Sequence, residues 1–170
     1  TAYDLTLKND YWVKRNLSIN GIRMVKELKG IPCYALENST SRKKNICTSR
    51  SFGRKVKDFD ELKEAVASYA TGCAMKLRKE KSLAFKVMVF ITTNPFNTSK
   101  SQYRASQKII LDVPTNDGVE ITKVAIAALK KIYKSGFIYK KAGVIVSEIV
   151  PDYTRQLSLF DNRDVNKQKK

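Results

Sequence analysis

Two segments of the chain place their apolar residues on one helical face each, and segments typical of strands surround both. In residues 62–77 the apolar side chains recur at steps of three and four, and in residues 121–133 at steps of three and one. A helix with one apolar face must bury that face against another layer. The two helices are therefore expected to share one side of a sheet.

Four segments rich in β-branched and aromatic residues predict the strands of that sheet, at residues 46–51, 83–92, 106–113 and 142–150. Pro114 and Pro151 are expected to end the last two, Asp58 or Asp60 to cap the first helix, and Gly136 to follow the second. The order is βαββαβ. It predicts an α+β two-layer sandwich, with a four-stranded, mainly antiparallel sheet, two helices on one face and the other face open.

The flanks of this domain differ from it in composition. Residues 1–31 are expected to be helical, with a short helix over residues 19–28, and the polar residues 32–45 read as a linker. Residues 46–151 form the predicted domain, and residues 152–170 a polar tail. The chain begins at Thr1 and carries no signal-peptide pattern, so we expect a piece of a longer protein.

The composition restricts the classes of function. A formal charge of +17 favours a polyanionic partner, first of all nucleic acid, and no apolar run approaches the length of a membrane span. The sequence has no histidine, no phosphate-binding loop, and three widely spaced cysteines that suit a reduced, cytoplasmic protein. We therefore expect no catalytic residues, no metal site and no cofactor in this chain.

The basic residues recur along the predicted strands, where they can line the open sheet face and its rim. Such a pattern suits contact with a phosphate backbone that does not read the bases. A solvated, lysine-rich surface is the alternative. The candidate nucleic-acid-binding residues are Lys43, Lys44, Ser49, Arg50, Ser51, Arg54, Lys86, Lys108, Lys140 and Lys141.

RNA-recognition modules share the βαββαβ order, but they carry aromatic residues on their strands for stacking on bases. The third predicted strand here, at residues 106–111, has no aromatic residue. Stacking is therefore disfavoured. A stand-alone RNA-binding or ribosome-associated module remains the alternative function, and an interaction module whose charge is incidental is a third.

The tail contains one apolar cluster among polar and charged residues. Such a cluster typically marks a docking peptide, or it folds back on its own domain. In an extended peptide the apolar side chains can fill a pocket while the glutamine bonds at its mouth. The cluster consists of Gln156, Leu157, Ser158, Leu159 and Phe160.

Several of these motifs together resemble the C-terminal part of UmuC-type polymerases, the catalytic subunits of bacterial DNA polymerase V in the Y family of translesion polymerases. The resemblance covers nearly the whole chain. It rests on residues 23–33 (RMVKELKGIPC), 49–53 (SRSFG), 140–144 (KKAGV) and 156–161 (QLSLFD).

The resemblance implies that residues 1–31 end a thumb domain and that residues 46–151 are the little finger, which grips primer–template DNA. It implies phosphate contacts by Ser49, Arg50, Ser51, Arg54 and the pair Lys140 and Lys141, and binding of the 156–160 peptide to the bacterial sliding clamp. The palm, with its Mg²⁺ ions, would be absent. An accessory subunit of the UmuD type and a cytoplasmic, nucleoid-associated location are further implications.

Overall fold

A computed structural model describes residues 1–36, 42–97 and 99–154 of the chain. The described residues fall into two compact units, which divide between Arg42 and Lys43. Within the described residues, no helix combines the length and the apolar character needed to cross a membrane.

The first unit is helical, and its main helix consists of two segments joined at a kink. It contains α1 (Ala2–Thr6) and α2 (Asp10–Leu28). The side chain of Asn9 accepts a hydrogen bond from the backbone N–H of Trp12, so α2 has a first segment that precedes the predicted short helix at residues 19–28. Ser18, with φ of 65°, kinks the helix, and this break explains why the apolar periodicity becomes regular only after it.

The second unit has the predicted order βαββαβ. Its elements are β1 (Asn45–Val56), α3 (Phe59–Lys79), β2 (Ser82–Thr93), β3 (Arg104–Thr115), α4 (Gly118–Ile132), β4 (Tyr139–Pro151) and a terminal 3₁₀ turn, Asp152–Thr154.

The four strands form one antiparallel sheet in the order β1-β4-β2-β3. Both helices pack on the same face, where Val87, Val89, Val144 and Val146 are fully buried with Leu129 and their other helix partners. The α+β class, the antiparallel sheet and the position of the helices are thereby confirmed. The last strand in sequence lies in the middle of the sheet, while β3 lies at an edge.

The strands extend further than the local patterns predict. β1 continues to Val56, and β3 runs through Pro114 to Thr115, so the expected end at Pro114 is wrong. A proline is tolerated there because β3 is an edge strand. β4 begins at Tyr139, so it includes both lysines that were expected to precede it.

Neither the aspartate expected to cap α3 nor the glycine expected to follow α4 makes the contact that the sequence predicts. Asp58 occupies the N-cap position of α3, but its side chain makes no capping hydrogen bond. Gly136 does have a positive φ, of 86°, but α4 ends at Ile132, so this glycine shapes the loop before β4 and does not close the helix.

The loop before β4 is held by a buried tyrosine. Tyr139 is fully buried, and its hydroxyl donates a hydrogen bond to the carbonyl oxygen of Lys134 and accepts one from the N–H of the same residue. Burial raises the pKa of Tyr139, so the neutral phenol is the form that the fold stabilises.

We predict that Tyr139→Phe lowers the free energy of unfolding by about 1–3 kcal/mol, because it leaves two backbone groups of Lys134 without their partner. Urea unfolding followed by circular dichroism measures the loss. Tyr133→Phe is the matched control: the Tyr133 hydroxyl donates to the carbonyl oxygen of Lys57 at an exposed position, so its removal should cost less. Equal losses in the two variants would contradict the role of burial.

Candidate nucleic-acid interface

The sheet face opposite the helices is a four-by-four array of side chains. The register of the three strand pairs aligns these residues in four rows across the order β1-β4-β2-β3. Residues between them along the strands, such as Val87 and Val144, point into the core instead. The rows of the open face are Ser51, Lys141, Thr92 and Arg104; Ser49, Gly143, Phe90 and Ser106; Cys47, Ile145, Met88 and Lys108; and Asn45, Ser147, Lys86 and Ile110.

Four of the sixteen residues in the array are cations, Lys86, Lys108, Lys141 and Arg104, and none of the sixteen is a carboxylate. Lys108, Lys141 and Arg104 are exposed. Lys86 is less available, because it is mostly buried and forms an ion pair with Glu148 at the edge of the array. The open face therefore presents net positive charge, concentrated on β3 and at the row that contains Lys141.

Arg104 is a candidate residue that the sequence patterns missed. The third strand was expected to begin at residue 106, which left Arg104 outside the predicted strand. The structure starts β3 at Arg104 and pairs it with Thr92. Its spacing of four residues from Lys108 puts the two cations on one strand face, about 13 Å apart. The even spacing of Arg104 and Lys108 is the sequence signal that could have placed both on the same face of the strand.

Five of the ten predicted nucleic-acid-binding residues lie on the open face, and the other five lie elsewhere. Arg50 alternates with Ser49 and Ser51 along β1, so its side chain lies on the helix side, where its charge acts on Tyr69 of α3. The ion pair of Arg54 with Glu61, near the start of α3, also directs that guanidinium toward the helix layer. Arg50 and Arg54 therefore lie outside the open face itself.

The remaining predicted cations lie at the margins of the sheet. Lys43 forms an ion pair with Glu80 at the end of α3, and Lys44 is exposed just before β1. Lys140 lies at a register irregularity of β4, and its ammonium donates a hydrogen bond of 2.7 Å to the carbonyl oxygen of Phe52. Lys43 and Lys140 each have a partner within the protein, so each is less available to a ligand than an unpaired lysine would be.

A cleft of about 730 Å³ opens at the end of the sheet where the row of Lys141 lies. Three chain segments surround it: the irregular part of β1, the β2–β3 loop and the α4–β4 loop. Gln102 closes part of the loop by accepting from the Thr93 hydroxyl and donating to the carbonyl oxygen of Asn97. The cations around it are Arg54, Lys55, Lys100 and Lys140.

The centre of the open face is apolar. Phe90, Met88 and Ile145 are half-buried neighbours on β2 and β4, and Ile110 on β3 is 64% exposed. β3 carries no aromatic residue, as residues 106–111 indicated, but the central strand β2 carries Phe90 on the open face.

The predicted peptide of Gln156, Leu157, Ser158, Leu159 and Phe160 lies outside the described residues. Within the described part of the chain, no cluster of three or more cysteine, aspartate or glutamate side chains could hold a metal ion.

An antiparallel α+β sandwich with one basic open sheet face defines a class of domain suited to a polyanion. Residues 43–159 match the impB/mucB/samB family C-terminal domain. Three relatives agree: UmuC and ImpB of Salmonella typhimurium are 36% and 35% identical to this chain, and MucB of Escherichia coli is 33% identical, each over 95% of the chain. The chain therefore belongs to the impB/mucB/samB family, and its resemblance to UmuC-type proteins is confirmed. It spans 38% of the length of these relatives.

The assignment of side chains to the two sheet faces can be tested with two cysteines. Cys47 is exposed on the open face, whereas Cys73 of α3 is buried, and burial raises the pKa of the Cys73 thiol. Since the thiolate is the reactive form, we predict that a maleimide labels Cys47 rapidly and Cys73 only after unfolding. Peptide mass spectrometry identifies each labelled site. Equal rates at the two cysteines in the folded chain would contradict the face assignment.

Proposed function

We propose that this chain is the C-terminal, DNA-holding part of an error-prone translesion DNA polymerase of the Y family, acting in the SOS response, and that it contains no catalytic centre. Membership in the impB/mucB/samB family supports the proposal. The polymerase activity would belong to the longer protein, since the relatives extend well beyond the matched region. Residues 1–31 would end the thumb, and residues 46–151 would be the little finger.

The observation that carries the proposal is the charge of the open face, four cations with no carboxylate among its sixteen residues. Lysine and arginine neutralise phosphates and release counterions, which gives affinity independent of base sequence. Ser49 and Ser51 add hydroxyl groups that can donate to phosphate oxygens. A polymerase that copies damaged templates gains from this kind of grip, because the grip ignores the lesion.

The cations at the margins of the sheet would add further contacts to the phosphates of the same DNA. Lys44, Lys140 and Arg54 lie where a phosphate backbone would leave the face, and Lys43 and Arg50 are nearby on β1 or just before it. The pairs that Lys43 and Arg54 make with carboxylates are exposed on the cation side, so each cation can exchange its partner for a phosphate at little cost. Their contribution to affinity is expected to be smaller than that of Lys108 or Lys141.

The tail peptide, residues 156–160, would bind the bacterial sliding clamp through Leu157, Leu159 and Phe160. Burying three such side chains is worth roughly 5–8 kcal/mol gross, and the entropy lost when a peptide is ordered on binding costs a few kcal/mol of it. The contact is therefore weak by itself. It gains strength when DNA already holds the polymerase beside the clamp, because the second binding event is then intramolecular.

Other partners and conditions follow from the same proposal. The longer protein would bind Mg²⁺ in its palm, and this chain would need no cofactor. A UmuD-type accessory subunit would be a further partner, and the protein would act in the bacterial cytoplasm at the nucleoid. No membrane contact is proposed.

A stand-alone RNA-binding or ribosome-associated module is the second candidate function. Phe90 on the open face is the one observation in its favour, because RNA-recognition modules use strand aromatics for stacking. Membership in the impB/mucB/samB family weighs against it. Tighter binding to an RNA hairpin than to the corresponding DNA hairpin would favour this candidate.

We predict that replacing Arg104, Lys108 and Lys141 together by alanine weakens binding to primer–template DNA and lowers its salt dependence. Removing one cation that neutralises a phosphate should reduce the slope of log K against log salt by about 0.9 on duplex DNA, so the three replacements should reduce it by roughly 2–3. Fluorescence anisotropy over a series of salt concentrations measures both quantities.

The control for this variant is the triple replacement of Lys123, Lys130 and Lys131 by alanine, which removes the same charge from the exposed side of α4. It should leave the slope nearly unchanged. Equal effects of the two variants would show that net charge, and not the open face, determines binding. Protection of Cys47 from maleimide by bound DNA would locate the contact on the open face.

We predict that Leu159→Ala with Phe160→Ala abolishes binding of this chain to purified bacterial sliding clamp, because it removes two of the three apolar anchors. Calorimetry should give a dissociation constant in the micromolar range for the unchanged chain. Ser158→Ala is the matched control and should retain binding. If the unchanged chain does not bind the clamp, the clamp part of the proposal is wrong, while the DNA part still stands.

A further inference from the structure

Phe90 occupies the middle of the open face without belonging to the hydrophobic core. It lies on β2, a central strand, between Val89 and Ile91, which are both fully buried on the helix side. Its ring is therefore on the face that the helices leave uncovered, and it is half-buried there. A large aromatic side chain at such a place is either a cover for the backbone beneath it or a contact surface for a ligand.

The ring extends across the neighbouring strand. Phe90 pairs with Gly143 of β4, and a Cβ atom at position 143 would lie 2.5 Å from Cζ and 2.6 Å from Cε1 of Phe90. The ring thus occupies the space that a side chain at 143 would need. Lys141, the next residue of β4 on this face, has its ammonium over the ring, 5.9 Å from the centroid, so a stacked base would displace it from there. A glycine and a lysine of β4 therefore set the immediate surroundings of the ring.

Cations flank the row of Phe90 on both sides. Lys141 and Arg104 belong to the preceding row and Lys108 to the following one, each about 5–10 Å away by the spacing of strands and of alternate residues. Between these cations the surface around the ring is apolar, with Met88 and Ile145 as neighbours. The arrangement combines a positively charged track with an aromatic ring inside it.

We infer that Phe90 is a stacking platform for one unpaired base of a DNA strand whose phosphates lie on Lys141, Arg104 and Lys108. Single-stranded DNA is bound in this way elsewhere: cations follow the backbone, and aromatic side chains take the π-faces of the bases. In a duplex those faces are covered by neighbouring base pairs, so the site selects an unpaired segment such as a template overhang. This inference rests on the proposed DNA-binding function and adds to it a preference for single strands.

The deciding experiment compares two apolar replacements on the open face. Phe90→Leu keeps an apolar side chain but removes the aromatic ring, and Met88→Leu is the matched control two residues away on the same face. Binding of the whole 170-residue chain to oligodeoxythymidylate and to a blunt DNA duplex is measured by anisotropy over a salt series. Thermal unfolding of each variant confirms that it is folded.

We predict that Phe90→Leu weakens binding to oligodeoxythymidylate about five- to 150-fold, the value of one stacked base. Binding to the blunt duplex should change less than twofold, and the salt slope should stay constant because no charge is removed. Met88→Leu should change neither affinity. Equal weakening on single strand and duplex, or no change on either, would overturn the inference while leaving the proposed DNA grip intact.

A second variant tests stacking without removing the ring. In a chain carrying Trp12→Phe, which replaces the one native tryptophan, Phe90→Trp introduces an indole at the proposed platform. Oligodeoxythymidylate should quench its fluorescence, and the blunt duplex should not. Absence of quenching on saturation with oligodeoxythymidylate would overturn the inference. Failure of the unchanged chain to bind any DNA at low salt would instead overturn the proposed function on which it rests.

Discussion

The packing of α3 and α4 on one face of the sheet is the constraint on which the rest of this domain depends. The two helices bury β-branched side chains from the central strands, such as Val89 of β2 and Val144 of β4. Each fully buried side chain of this size is worth about 1.5–3 kcal/mol before the entropy cost of ordering the chain. Because side chains alternate along a strand, this burial also determines which residues face the other way.

The open face therefore follows from the core through the strand register. A shift of one residue in any pairing would exchange buried valines with exposed lysines, and the loss of burial prevents it. The same register pairs Phe90 with Gly143, and the Phe90 ring occupies the space that a Cβ atom at position 143 would need. Burial on the helix side thus determines the register, and the register determines the positions of the cations and of the apolar centre on the open face.

The distribution of charge on this face limits its cost to stability. Like charges directly opposite each other on neighbouring strands are destabilising. In the first row Thr92 separates Lys141 from Arg104, and in the other rows each cation has uncharged neighbours. The face can thus carry four cations while the domain stays folded. A surface that binds a polyanion must keep its cations apart in this way while no ligand is bound. The geometry of the face and the membership in the impB/mucB/samB family therefore support the same function.

The sequence by itself determined the class of the fold, since two one-sided helices and four β-rich segments leave few ways to bury their apolar faces. It also determined the net charge and the motifs of the family. The tertiary structure alone decided which residues share a face: it put β4 in the centre, assigned Arg50 to the helix side, and added Arg104 and Phe90 to the open face. The physical reason is that periodicity is a local property of the chain. Strand order and register instead come from contacts between segments far apart in sequence.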